Sequence, residues 1–91
     1  MRVLWTVPAR DDLARQRAYL ERRNPRAAKR IVPAIIEPVA ALPRAPGMGR
    51  PGRLVGTREL VVPGTPYIVP YRVRGERLEI LRVLHGALRW P

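Results

Sequence analysis

The sequence predicts an α+β domain with the element order β-α-α-β-β-β: an antiparallel, hairpin-rich sheet with an N-terminal helical hairpin packed on one face. Three observations predict it. Apolar residues recur at helical spacing from Ala28 to Leu42, and β-branched or alternating runs fill residues 57–84. Between them lies a stretch from Pro43 to Gly56, so rich in Pro, Gly and Arg that it propagates neither structure. At 91 residues the chain supports one domain, residues 1–91, with a modest core.

Taken in order, RVLWT at 2–6 reads as a short strand, and Pro8 then stands at a first helical position. Asp11 and Asp12 fall in the opening turns, where a carboxylate favours the helix N-terminus. LARQRAYLERR continues as a basic amphipathic helix whose apolar members are Leu13, Ala14, Ala18 and Leu20. Asn24 ends this helix, and Asn24-Pro25 also starts the next, Asn as cap and Pro at the first position. The second helix carries the stripe Ala28, Ile31, Val32, Ile35, Ile36, Val39 and Leu42. Two helices with so short a link lie antiparallel. Pro33 and Pro38 each remove a backbone donor, at a cost of roughly 3 kcal/mol in a helix interior. The stripe runs through both, which predicts a kinked helix rather than a broken one.

After a loop at 43–56, three strands are expected: 57–62, 67–73 and 77–84, separated by PGTP and a tight RGE turn. Alternation places Tyr67, Val69, Tyr71 and Val73 on one face of the middle strand, and Ile68, Pro70 and Arg72 on the other. Pro70 cannot donate to a ladder, so its amide position must face an edge, a bulge or a gap. The last strand is apolar on both parities and is expected to be central.

The formal charge is +11, with 17 arginines against a single lysine, Lys29. A GC-rich genome explains the Arg-to-Lys ratio but not the net charge, because the same genome could encode more acids. Arginine's flat fork of donors suits phosphate and carboxylate, so two partner types follow: nucleic acid, or an acidic protein. With no cysteine there is no disulfide or thiol nucleophile, and one histidine cannot build a usual protein-only zinc site. No metal or cofactor is expected. No stretch reaches the roughly 18 apolar residues of a membrane span, and the N-terminus is too soon acidic for a secretory signal. The expected location is the cytoplasm, without membrane contact.

Several motifs then coincide in order: a strand and helical hairpin, PGMGRP before the sheet, TREL, YIVPYRV, RLEILRVLHG and a terminal RWP. Over essentially its whole length the chain resembles the RelE/ParE superfamily of toxins from bacterial type II toxin-antitoxin modules. That resemblance implies a growth-arresting toxin neutralised by a cognate acidic antitoxin in a hetero-oligomer. It also implies one of two targets. ParE-like members poison DNA gyrase, whereas RelE-like members cleave mRNA on the ribosome without a metal. The RNase branch commonly places an arginine after the first aromatic of the middle strand, and here that position is Ile68. A C-terminal tyrosine or lysine of the RNase branch is also missing from GALRWP at 86–91. PGMGRP and RLEILRVLH look closest to ParE-like toxins, so gyrase is the expected target.

For the RNase alternative the candidate catalytic groups are His85, Arg82 and Arg58. Candidate target-binding residues are Arg58, Arg72, Arg82, His85, Arg89 and Trp90, and candidate antitoxin-binding residues are Leu13, Arg17, Leu20, Arg50 and Arg53. Several have a plainer alternative. Arg82, a charge among apolar neighbours, is either presented on the sheet or held by an internal acid such as Glu59 or Glu79. Arg58 is a site group or a solvated edge charge. His85 is a base or a hydrogen-bonding end to the C-terminal turn. Arg50 and Arg53 touch a partner or are solvated, and Trp90 is an anchor for a partner or a lid on the helices.

Overall fold

The computed structural model of the protein describes residues 1–86 and 90–91. The chain runs β1 (Arg2–Trp5), α1 (Val7–Arg23), α2 (Pro25–Ala41), β2 (Arg50–Pro51), β3 (Arg58–Val61), β4 (Tyr67–Arg74), β5 (Arg77–Ile80) and β6 (Leu84–His85). The strand order is β1-β5-β4-β3-β2, with β6 beside β4. The expected α+β class and element order hold, with two short strands added. The sheet, however, is mixed rather than wholly antiparallel. β1 pairs with β5 in parallel, from Arg2 opposite Arg77 to Trp5 opposite Ile80. The helical hairpin supplies the long crossover that a parallel neighbour requires, and β1 covers the edge of β5 that β4 leaves open.

Local chemistry sets the helix ends. The Thr6 hydroxyl accepts from Ala9 N–H and donates to the Ile80 carbonyl at 2.7 Å, so one side chain both caps α1 and ties it to the sheet. The helix starts at Val7, with Pro8 one place later than expected. Asn24 plays both expected parts: its N–H donates to the Leu20 carbonyl, and its side chain accepts from Ala27 N–H at 3.2 Å. α2 is continuous from Pro25 to Ala41 through both internal prolines. Pro33 is exposed, so the carbonyl its ring leaves without a donor lies on the wet side.

The core lies between α2 and the sheet. Ile35, Val39 and Leu42 meet Tyr67, Val69, Tyr71, Leu78 and Ile80, nearly all fully buried. Each such side chain contributes roughly 1.5–3 kcal/mol on burial. α1 adds less: Ala9 is buried and Leu13 and Leu20 are half-buried, while Ala14 and Ala18 are exposed rather than core.

The run expected as one strand at 77–84 breaks. Tyr71 pairs with Ile80, but Ile68 pairs with Leu84, so Val69 and Pro70 face three residues, 81–83. This is a bulge, and Pro70 explains its place. The Pro70 carbonyl accepts from Leu81 N–H at 2.9 Å. Amide and carbonyl of one residue in an antiparallel strand address the same neighbour, so the donor that proline lacks would have pointed into the break. The segment expected as plain loop holds a 3-10 turn at Leu42–Arg44 and the short strand β2.

Candidate functional site

The bulge turns Arg82 toward α1. Its Nε and Nη2 donate to the two Asp12 oxygens at 2.6 and 3.0 Å, and Val83 N–H donates to Asp12 at 2.9 Å. Arg15 adds a further bond at 2.7 Å. Burial alone would push the Asp12 carboxyl up; hydrogen bonds from Arg82 and Val83 and the charges of Arg82 and Arg15 outweigh it, and its pKa lies below the ordinary 3.8. The same hydrogen bond raises the pKa of Arg82. The internal partner of Arg82 is therefore Asp12, not Glu59 or Glu79, because the bulge directs it to the helix side of the sheet. Asp12 in turn serves as a clasp between α1 and the end of the chain, beyond the first turn of the helix.

On the helix-free face, Glu59 is buried at 2% exposure. Arg50 Nη2 lies 3.1 Å from it, Arg53 Nε 3.4 Å, and Arg53 N–H donates at 3.0 Å. Both arginines thus pin the loop to Glu59 while their side chains stay partly solvated. Tyr71 pins the same loop from the other face: its hydroxyl donates to the Pro46 carbonyl at 2.6 Å and accepts from Gly49 N–H at 2.9 Å. A Cβ on Gly49 would stand 2.6 Å from the Tyr71 ring, which accounts for glycine in PGMG. Arg58 donates to the Gly49 carbonyl at 2.8 Å, joining this loop instead of standing as a plain edge charge. Arg72 pairs with Glu79 at 2.7 Å.

The His85 ring stands edge-on to Tyr67, with centroids 6.1 Å apart, where β6 pairs with the start of β4. The Tyr67 hydroxyl donates to Gln16 Oε1 at 3.0 Å, and burial, with a smaller part from Tyr19, pushes its pKa up. Arg58 faces Tyr71, four residues along β4 from His85's partner and hence about 13 Å away. With Arg82 drawn to α1, the three candidate catalytic groups do not converge. Among the described residues, no group of three His, Asp or Glu could hold a metal ion.

Leu13 and Arg17 line an open groove along the outside of the helical hairpin, with Trp5, Arg10, Val32 and Ile36 and a volume of ≈ 330 Å³. A second hollow of ≈ 480 Å³ continues it past Arg17 to Glu21, Ala28 and Lys29. Leu20 lines neither hollow and packs against the core, as Leu13 also does. Trp90 is half-buried, and Arg89 lies outside the described residues. Sequence reasoning missed Asp12, Glu59 and Tyr71 as organisers. The available signal was scarcity: with seven acids against 18 cations, every buried acid has arginines available to pair with it.

The comparisons with known proteins agree on one kind of molecule. The family model described as the ParE toxin of the type II toxin-antitoxin system, parDE, matches residues 3–90. Y4kP, a candidate toxin of Sinorhizobium fredii, is 46% identical over 99% of this chain and 93% of its own length. Toxin RelE1 of Caulobacter vibrioides is 36% identical over 92% and 91%. Among solved structures, a chain of the chromosomal ParDE system from P. aeruginosa superposes with a TM-score of 0.87 at 32% identity, covering 93% of this chain and 95% of that one. A chain of the RelBE2 toxin-antitoxin complex from Mycobacterium tuberculosis superposes with a TM-score of 0.58 at 31% identity, covering 92% and 95%. Clasped strand end, glycine-tight loop and grooved helical hairpin thus sit on a shared scaffold, and the chain belongs to the ParE toxin family of type II toxin-antitoxin systems.

Proposed function

We propose that this toxin arrests growth by binding and poisoning DNA gyrase in the cytoplasm, and that a cognate acidic antitoxin neutralises it. The observation that carries this reading is Ile68. It occupies the position where RelE-like nucleases place a phosphate-clamping arginine, and it is 9% exposed, opposite Leu84. Cleavage by 2′-hydroxyl attack needs a base, an acid and positive charge converging on one phosphate. Here Arg82 is engaged by Asp12, Arg58 by a loop carbonyl, and His85 sits well along the strand from Arg58. That separation supports action by binding.

For the antitoxin, the groove at Leu13 and Arg17 fits an amphipathic helix with an apolar stripe and acidic flanks. Ile36 is 41% exposed on the floor, and Arg10, Arg17 and Lys29 stand beside it. Opposite charge would speed the encounter.

The test pairs two assays on the purified toxin: cleaved plasmid accumulating with gyrase, and mRNA cuts in a translating extract. Gyrase-bound cleaved DNA with intact mRNA is expected; cut mRNA with untouched gyrase overturns the proposal. His85→Ala separates the mechanisms further. A nuclease relying on that base loses at least about a hundredfold in rate, whereas a binder stays within a few-fold.

A further inference from the structure

β1, β5 and β4 end together at the Gly75 hairpin. In register there, Arg2 stands opposite Arg77, and Arg77 opposite Arg74. Strand alternation puts all three on the helix-free face: Arg74 shares parity with Arg72, and Arg77 with Glu79, the pair already bonded on that face. With neighbouring strands about 4.8 Å apart, the row is roughly 10 Å across. None of the three has an ion-pair partner among the described residues, although Glu76 lies in the adjoining turn. Every other arginine of the described sheet and its loop that reaches Glu59, Glu79 or Asp12 is paired. Like charges directly opposite one another cost stability, and the only return within the described residues is a longer-range attraction to Glu79, which Arg72 already pairs. Its field reaches Glu79, whose carboxyl is held below its ordinary value first by the Arg72 hydrogen bond and also by Arg77 and Arg74.

We infer that this arginine row is a contact site for the phosphodiester backbone of duplex DNA. Guanidinium forks suit phosphate, and duplex DNA presents one charge per about 1.7 Å of axis, or roughly six across the row. Single-stranded nucleic acid is held by bases stacked on aromatic side chains, and none is at hand: Trp5 and Tyr71 pair with Ile80 and so lie on the helix-packed face. An acidic peptide would need buried apolar anchors, and the adjoining row, Leu4, Glu79 and Arg72, offers only Leu4. The row is also distinct from the other surfaces. It lies at the far end of eight-residue β4 from Tyr67 and His85, about 23 Å away, and across the sheet from the helical groove.

The experiment measures binding of the full chain to a labelled duplex of about 20 base pairs by fluorescence anisotropy, between 50 and 200 mM salt. The variant Arg2→Gln/Arg74→Gln/Arg77→Gln is compared with Arg22→Gln/Arg26→Gln/Arg30→Gln, which removes equal charge from exposed helical positions. The row variant should lose at least about tenfold in affinity and flatten the slope of log K against log salt by about 2–3, at roughly 0.9 per phosphate contact. The helical variant should lose less than about threefold. A thermal melt excludes misfolding, because removing the repulsion should leave the row variant melting no lower than the parent. Equal loss in both variants, no duplex binding by the parent, or row-dependent binding of single-stranded RNA tighter than of duplex each overturns the assignment.

Discussion

The two ends of β4 treat arginine in opposite ways. At the Tyr67 end, Arg82 is drawn across the bulge onto a buried carboxylate that also receives a backbone N–H and a second arginine. At the Gly75 end, Arg74, Arg77 and Arg2 stand in line with no acid among them. Net charge alone does not separate these regions; the placement of the few acids does. Among the described residues, Asp12, Glu59 and Glu79 are the buried charged ones, and each ties at least one arginine into the structure. Arg74 and Arg77 feel Glu79 only at longer range and form no ion pair with it.

The clasp should be the most fragile point. Asp12→Ala leaves the Arg82 guanidinium and Val83 N–H without their acceptor. Breaking a buried pair costs about 3–5 kcal/mol, and the lower end, about 3 kcal/mol, is expected because the Arg82 side chain is 35% exposed. That is a large share of a small domain's stability. Urea unfolding measures it, and a loss under about 1 kcal/mol would dissolve the contrast between the two ends.

Next comes the loop pin. Gly49→Ala would press a methyl to within 2.6 Å of the Tyr71 ring and 3.0 Å of the Glu59 carbonyl, and overpacking of this kind costs about 1–3 kcal/mol. Tyr71→Phe instead gives up the bonds to Pro46 and Gly49, again about 1–3 kcal/mol. The double variant should cost less than the sum of the two, since the hydroxyl is one of the atoms the new methyl meets.

Acid should weaken the fold through Asp12 and Glu79. Asp12 and Glu79 both titrate below their ordinary values of 3.8 and 4.5. A depressed carboxyl stabilises fully above its unfolded value and loses that contribution as pH falls through the folded one. The melting temperature should therefore be steady with respect to these groups from pH 7 to about 5 and fall below about 4. Asp12→Asn should flatten much of that fall.

The same contrast explains what the sequence revealed. Helices, strands and the double role of Asn24 were readable because they depend on local spacing and punctuation. Pro70's need for a gap was readable too, since it follows from one missing donor. The parallel pairing of β1 was not, because nothing within RVLWT distinguishes the direction of its neighbour. Nor was the break at 81–83: a run apolar on both parities hides a slip of one residue. Arg82's partner lay 70 residues away, on a residue whose position suggested helix-dipole duty. The loop at 43–56 took its order from Glu59 and Tyr71, which belong to other strands. Site residues are therefore readable by type, while Asp12, Glu59 and Glu79 are readable as acids but not matched to the arginines they hold.

The smallest effect is the most discriminating, because its sign differs between adjacent rows of one face. Arg72 is paired with Glu79, with its side chain 38% exposed, so Arg72→Gln should lower the melting temperature by a few degrees at most. Arg77 faces two other arginines directly and Glu79 only at longer range, so Arg77→Gln should raise it by a degree or two as the repulsion is relieved. High salt should shrink both shifts, since each rests on partly solvated charge. If both variants destabilise, the attraction to Glu79 outweighs the repulsion and the row's arginines belong with the structural ones. If Arg77→Gln stabilises the fold while weakening duplex binding, the repulsion is a cost tolerated for contact with a polyanion.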